Sequence, residues 1–216
     1  MASEREDGAP ALDRATLTTH ALPLVDHLVR TLALLPAATP ADLALGPPDQ
    51  PPRMAGVLVP VYARDGEPYL LFTRRSPTLS THSGQISFPG GSRDPGDATL
   101  ADTALREAHE ELGIPPERVR VLGSLTPVFT VVSNFLITPV VGWMGDDRIS
   151  LAPNPHEVAE VIEAPLAALA DPGIFHEEEW VRAGRPHAVY FYDHGAYRIW
   201  GATARILHEL LALLPS

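Results

Sequence analysis

Residues 88–114 read FPGGSRDPGDATLADTALREAHEELGI, and they hold the densest structural information in this chain of 216 residues. Two glycines are followed by a polar stretch and then by a segment whose apolar residues recur every three or four positions, which is typical of an amphipathic helix. We predict a helix over residues 98–112, with Asp97 as its N-cap and Gly113 just past its C-terminal end.

Acidic residues are concentrated in the same stretch. Residues 94–117 contain seven of them and one basic residue, Arg106, so this stretch carries −6 of the formal net charge of −11. Glu107, Glu110 and Glu111 stand at i, i+3 and i+4, which places their carboxylates together on the exposed face of the predicted helix. Such a cluster suits a hard divalent cation, Mg²⁺ or Mn²⁺, and the alternative interpretation is a solvated acidic helix face.

This stretch resembles the signature of the Nudix hydrolases. That signature is a glycine, five residues, a glutamate, seven residues, and then Arg-Glu-aliphatic-x-Glu-Glu-x-Gly-aliphatic. Residues 106–114, REAHEELGI, match the second half at every specified position. The first half is one residue longer here and has Asp97 near the place of the glutamate. The resemblance implies an α/β architecture, the Nudix fold, in which a mixed β-sheet is sandwiched between helices.

The resemblance also implies which residues carry the chemistry. Glu107, Glu110 and Glu111 would be both catalytic residues and ligands of Mg²⁺ or Mn²⁺, with the carbonyl of Gly91 as a further ligand. Arg106 would belong to the catalytic group and orient the carboxylates through an i, i+4 contact with Glu110.

One more metal ligand is expected downstream. Glu157 and Glu160 lie beside the start of a predicted strand, where other Nudix enzymes have a further carboxylate. We favour Glu157 as the ligand.

Residues 71–91, LFTRRSPTLSTHSGQISFPGG, resemble the motif of the coenzyme A pyrophosphatase branch of this superfamily. Phe72 replaces a leucine of the motif and Ser80 replaces an arginine. The resemblance implies cleavage of coenzyme A or a short acyl derivative to 4′-phosphopantetheine and adenosine 3′,5′-bisphosphate. Long loops inside a domain are commonly functional, and within residues 74–96 we expect the substrate to be bound by three side chains, Arg75, His82 and Gln85.

Two other functions stay open at this point. Because Ser80 removes one basic contact, the substrate could instead be another nucleoside diphosphate derivative such as ADP-ribose or NADH. A Nudix-fold binding module without catalysis is the third hypothesis, and the presence of Glu107, Glu110 and Glu111 argues against it.

The composition excludes several classes of protein. All 16 basic residues are arginines and there is no cysteine, which excludes lysine Schiff bases, thiol nucleophiles and disulfides. The acidic balance opposes binding to nucleic acids and to anionic membranes. We find neither a signal peptide nor an apolar run of membrane-spanning length, so we expect a cytoplasmic enzyme with a small-molecule substrate.

The rest of the chain divides into an extension and a domain. We expect residues 1–52 to form an N-terminal helical extension with a Pro-rich linker, and the resemblance implies a Nudix hydrolase domain over residues 53–216. Within the extension, residues 16–35 have helical periodicity and would serve packing or homodimerisation. Strands and a final helix are predicted in the domain at 54–62, 69–73, 85–88, 119–125, 135–143, 158–162, 188–192, 197–200 and 202–214.

Overall fold

The structure is a computed structural model that describes residues 14–35, 50–77, 84–146, 150–182 and 185–215; at 14–22, 182 and 185 it describes the backbone alone. Its helices are α1 (Arg14–Leu32), α2 (Leu100–Leu112), α3 (Leu166–Leu169) and α4 (Gly201–Ala212). Short 3₁₀ turns occupy Pro116–Arg118 and Pro172–Ile174. The strands are β1 (Arg53–Arg64), β2 (Glu67–Arg75), β3 (Ile86–Ser87), β4 (Gly90–Ser92), β5 (Arg120–Ser124), β6 (Val128–Thr130), β7 (Phe135–Trp143), β8 (Val158–Pro165), β9 (Phe175–Arg182), β10 (Arg185–His194) and β11 (Tyr197–Trp200).

The main sheet is mixed, as predicted. Its central path runs β3-β2-β1-β7-β5, with β4 beside β1, β6 beside β7 and β8 beside β2. Strands β1 and β7 are parallel, whereas the other pairs are antiparallel. A second sheet has the order β11-β10-β9.

Alternate residues of β1 enter two separate cores, because successive side chains of a strand point to opposite faces. Leu58 and Tyr62 pack with the apolar side of α2. Val59 and Val61 pack on the other face, in the core that contains α1 and α4. The sheet is therefore sandwiched between helices, which confirms the predicted fold class.

Helix α1 contributes directly to the larger core. Val25, Leu28 and Leu32 are buried in it, and the ring nitrogen Nε2 of His27 lies 2.8 Å from the carbonyl oxygen of Leu213. The amphipathic pattern of this segment thus reflects packing against the domain. None of the helices in the described ranges is both long and apolar enough to cross a membrane.

Helix α2 begins two residues later than predicted. Its N-cap is Thr99, whose side chain accepts a hydrogen bond from the backbone N–H of Asp102, while the Asp102 carboxylate accepts from the backbone N–H of Thr99. The prediction of Asp97 as N-cap is wrong, because Thr99 and Asp102 form a capping box that satisfies backbone N–H groups at the start of the helix. The predicted end is right, since Gly113 adopts the left-handed conformation with φ 69°.

Candidate metal and active site

The site is built where α2 crosses β1 and β4. Gly56 in β1 allows this close approach, because a Cβ atom there would overlap the carbonyl oxygen of Leu100. Beside it in β4 lies Gly91, where an added Cβ would stand 2.6 Å from the carboxylate carbon of Glu107. Gly56 therefore lets the backbone of α2 approach β1, and Gly91 lets the carboxylate of Glu107 approach β4. Only glycine, which has no Cβ atom, fits at either position.

Arg106 is the hub of one half of the site. Its Nη1 donates to Oε1 of Glu107 at 2.9 Å and to Oε2 of Glu110 at 3.1 Å, the expected i, i+4 contact. Its Nη2 donates to the carbonyl oxygen of Ser92 at 3.1 Å. Arg106 thus holds two of the glutamates relative to the β4 backbone.

Asp97 anchors this arginine from behind. Nε and Nη2 of Arg106 donate to its two carboxylate oxygens, each at 3.1 Å, and the hydroxyl of Thr103 and the N–H of Asp94 donate to it at 2.9 Å. The guanidinium of Arg106 and these hydrogen bonds hold the pKa of Asp97 well below its usual range. Asp97, whose place in the signature was unusual, fixes the orientation of Arg106.

Glu111 occupies a different environment from the one its helical position predicts. Its side chain is buried, with 4% of its surface exposed, so the expectation of an exposed carboxylate is wrong. Burial is the main reason that the pKa of Glu111 is raised to about 8. Arg75, whose Nη1 lies 3.7 Å from Oε1 of Glu111, opposes the rise, whereas the charges of Glu107 and Glu157 add to it.

The charge of Glu157 acts on Glu107 as well as on Glu111. Burial raises the pKa of Glu107, Arg106 lowers it, and the charge of Glu157 contributes to the rise. The structure therefore brings Glu157 within electrostatic reach of both Glu107 and Glu111. The backbone carbonyl of Glu157 is held by the N–H of Ser76 at 2.8 Å.

The donor set suits a hard cation. Buried carboxylates without enough positive charge nearby are costly, and Mg²⁺ or Mn²⁺ binds carboxylate and carbonyl oxygens. Glu107 and Glu111 beside the β4 backbone meet this description, and burial raises the pKa of both carboxyls. In the side-chain positions of the described residues, however, no three carboxylates or imidazoles stand together as a ready-made ion site.

The expected substrate residues are only partly visible. Arg75 faces Glu111, and its Nε is buried with no hydrogen-bond partner in the described ranges. The backbone carbonyl of Gln85 accepts from the N–H of Arg75 at 3.0 Å, so Gln85 lies next to it. His82 and Ser80 lie outside the described residues.

Glu160, the less favoured alternative to Glu157, is engaged elsewhere. Its carboxylate lies 2.7 Å from Nη2 of Arg74 and accepts a hydrogen bond from the hydroxyl of Tyr197 at 2.7 Å. These partners belong to the opposite face of the sheet from α2.

Sequence reasoning missed the polar support of the site. Thr103 is fully buried on α2, where its hydroxyl binds Asp97. A threonine among the alanines and leucines of the predicted buried face was the available signal. The carbonyl of Ser92 left no sequence signal, because any residue supplies the same backbone acceptor.

Comparisons with known proteins identify the family of this chain. A sequence model of the NUDIX domain matches residues 52–183. The uncharacterized Nudix hydrolase NudL of Klebsiella pneumoniae strain 342 is 44% identical over 200 residues, which cover 90% of this chain and 96% of that protein. NudL of Photorhabdus laumondii is 45% identical over 158 residues, or 73% of this chain and 83% of that one.

Solved structures include the Nudix hydrolase RenU from M. smegmatis, with 25% identity and a TM-score of 0.47 over 55% of this chain and 74% of that one. The domain match spans more than half of the chain and contains β1, β4 and α2 with all the carboxylates described above. This chain belongs to the Nudix hydrolase family.

Proposed function

We propose that this Nudix hydrolase is a divalent-metal-dependent pyrophosphohydrolase that cleaves coenzyme A or short acyl-coenzyme A. Water would attack one phosphorus of the diphosphate and one P–O bond would break. The products would be 4′-phosphopantetheine and adenosine 3′,5′-bisphosphate. The single observation that carries the hydrolytic part is the buried carboxylate of Glu111, which accepts a hydrogen bond from the backbone of Gly90 and lies near Glu107, whose own carboxylate abuts Gly91.

Residues of the chain would hold the cation and the substrate in separate roles. Glu107, Glu110, Glu111, Glu157 and the carbonyl of Gly91 are the proposed ligands of Mg²⁺ or Mn²⁺. When bound, the metal would neutralise charge that develops on the diphosphate oxygens. Arg106 would have no direct contact with the substrate. Its hydrogen bonds to Glu107 and Glu110 would keep these two carboxylates in place.

Arg75 is the best-supported substrate residue. Its guanidinium lies beside the cluster, is only partly used by Glu111 at 3.7 Å, and keeps a buried Nε–H without a partner among the described residues. Guanidinium groups bind phosphate oxygens well, because their donors match the geometry of the anion. We propose that Arg75 binds the diphosphate, and that Gln85 and His82 contact the rest of the substrate.

The identity of the substrate rests on the motif in residues 71–91. The observation that favours the alternatives is Ser80 in place of an arginine, which leaves ADP-ribose and NADH as the second candidates. Loss of catalysis is disfavoured, because all three glutamates of the signature are present.

A substrate panel tests the proposal. Coenzyme A, acetyl-coenzyme A, ADP-ribose and NADH are incubated with the enzyme and Mg²⁺ or Mn²⁺, and the products are separated by chromatography. We expect kcat/KM for coenzyme A to exceed that for ADP-ribose by about tenfold or more. A preference for ADP-ribose or NADH would overturn the coenzyme A assignment and leave the diphosphate chemistry intact.

The loop residues can be tested on the same panel. Gln85→Ala should lower kcat/KM for coenzyme A about three- to tenfold through loss of a hydrogen bond, with a smaller effect on ADP-ribose. Equal losses on both substrates would mean that Gln85 supports the general site and does not select the substrate.

A further inference from the structure

A cluster on the face of the sheet opposite to α2 touches the strand that carries Arg75. It consists of Arg74 in β2, Glu160 in β8 and Tyr197 in β11, and we refer to these three residues as the outer clamp. The ion pair between Nη2 of Arg74 and Oε2 of Glu160 is 2.7 Å long, and the Tyr197 hydroxyl donates to the other carboxylate oxygen at 2.7 Å. The outer clamp therefore ties the main sheet to the second sheet.

Arg74 and Arg75 point to opposite faces, because they are neighbours in one strand. Leu71 packs in the α2 core and Phe72 packs in the α1 and α4 core. By alternation Arg75 shares the face of Leu71, where its guanidinium meets Glu111, and Arg74 shares the face of Phe72. The outer clamp thus holds Arg74, the residue directly before Arg75, on the face of the sheet opposite to α2.

The pairing of β2 with β8 changes register at this point. Arg74 pairs with Glu160, but Arg75 pairs with Val158, so Ala159 is an extra residue in β8. Ile162 packs in the α1 and α4 core, whereas Val158, an even number of residues away, packs in the α2 core. The irregularity is a β-bulge that turns the start of β8 toward the metal-site face.

Backbone contacts beyond the bulge lead directly into the site. The N–H of Ser76 donates to the carbonyl of Glu157 at 2.8 Å, and the N–H of Arg75 donates to the carbonyl of Gln85 at 3.0 Å. A bulge interrupts the ladder of backbone hydrogen bonds between β2 and β8. Side-chain contacts beside the bulge therefore have more influence on the positions of Arg75 and Glu157. The last regular pair before the bulge is the Arg74–Glu160 pair.

We propose that Arg74, Glu160 and Tyr197 are positioning residues, and that they hold the β2–β8 bulge so that Arg75 and Glu157 face the carboxylate cluster. This inference rests on the proposed function insofar as Arg75 binds the diphosphate. The ion pair is partly exposed, at 47% for Arg74 and 32% for Glu160, and exposed ion pairs add little to stability. Its geometry would therefore act on the site more than on the fold.

The test compares Glu160→Gln and Tyr197→Phe with two matched controls. Glu163→Gln removes an ion pair of β8 with Arg64, 3.1 Å long and three residues farther along the strand, on the α2 face. Tyr192→Phe removes a hydroxyl contact to His208, 2.9 Å long, within the second sheet and α4. All four variants should fold, since each change is nearly isosteric.

We expect both clamp variants to raise KM for the diphosphate substrate about three- to tenfold with a smaller change in kcat, and both controls to stay within about twofold. In an Arg75→Ala background, Glu160→Gln should add less than about twofold, because the residue through which it acts is gone. The proposal would be overturned if Glu160→Gln raised KM in the Arg75→Ala background by the same factor as in wild type. It would also be overturned if the control variants raised KM as much as the clamp variants do.

Hydrogen exchange supplies a measurement that does not depend on turnover. The amides of Arg75 and Ser76 should exchange faster in Glu160→Gln than in wild type, and at the wild-type rate in Glu163→Gln. Unchanged exchange in Glu160→Gln would also overturn the clamp. If wild type hydrolyses no diphosphate of the panel, the proposed function fails, whereas the exchange comparison still decides whether the clamp holds the bulge.

Discussion

Two parts of the candidate site, one before α2 and one at its C-terminal end, differ in how carboxylate charge is compensated. In the first part, Asp97 receives two bonds from Arg106, and the pKa of Asp97 is lowered. In the second part, at the C-terminal end of α2, Glu111 is buried with Arg75 at 3.7 Å, and its pKa is raised to about 8. The difference shows that a guanidinium hydrogen-bonded to the carboxylate offsets burial at Asp97, whereas the more distant guanidinium of Arg75 does not offset it at Glu111.

The most severe test of this difference removes the carboxylate of Glu111. Glu111→Gln should lower kcat at least about 1,000-fold, because a proposed metal ligand is lost while the shape of the side chain is kept. Steady-state kinetics and circular dichroism are the measurements. Glu117→Gln, an exposed carboxylate just past the helix, is the control and should retain wild-type activity. Activity of Glu111→Gln within threefold of wild type would show that the metal site is elsewhere.

The same substitution should change how the metal-free protein responds to pH. A carboxyl with a folded-state pKa of about 8 and an ordinary value of 4.5 favours folding when protonated, so wild type should lose stability as pH rises from 4.5 to 8. Glu111→Gln lacks this loss and should be more stable above pH 8, by roughly 5 kcal/mol at most. Thermal unfolding in chelator at pH 5 and pH 8.5 measures the difference. A Tm difference between the two proteins that does not vary with pH would contradict the burial of an undercompensated charge.

Metal addition should supply the missing charge. Mg²⁺ or Mn²⁺ that binds only the folded protein should stabilise it by about 2.7 kcal/mol at 100 times the Kd. Differential scanning fluorimetry across a metal titration should show Tm rising with the logarithm of concentration. The triple substitution of Glu107, Glu110 and Glu111 by Gln should abolish the rise, and its persistence would place the metal at other residues.

Removing the charge of Asp97 should lower activity less than removing the charge of Glu111. Its effect on stability should vary with pH in the opposite direction. Asp97→Asn should lower activity about tenfold by loosening Arg106, since supporting residues of metal sites have effects of this order. Because the pKa of Asp97 is lowered from 3.8, its contribution to stability is present above that pH and is lost as pH falls through the folded-state value. Asp97→Asn should therefore be less stable than wild type at pH 7, and the two should converge in strong acid. Asp97→Glu is the control that keeps the charge, and an unimpaired Asp97→Asn would exclude the anchoring role.

Much of the fold was accessible from local pattern. The helix over residues 98–112 was predicted from periodicity and is observed over Leu100–Leu112, and its Gly113 end was placed correctly. The N-cap was not, because Asp97 and Thr99 are both good capping residues and only the contact of Asp97 with Arg106, nine positions later, separates them. The short strand Gly90–Ser92 was not predicted, since three residues have no detectable period.

The sequence by itself determined the family, the helix that bears the glutamates and the clustering of their carboxylates, because these follow from spacings within a few turns of one helix. Tertiary structure alone decided that Glu111 is buried, that Arg75 faces it and that Glu160 serves the opposite face of the sheet. Each of these depends on how strands β2, β4 and β8 pack against α2, and in β8 on a single extra residue at the bulge. Burial and charge compensation are properties of contacts between distant residues, so a helical spacing that predicts which carboxylates are neighbours cannot predict which of them is deprived of water.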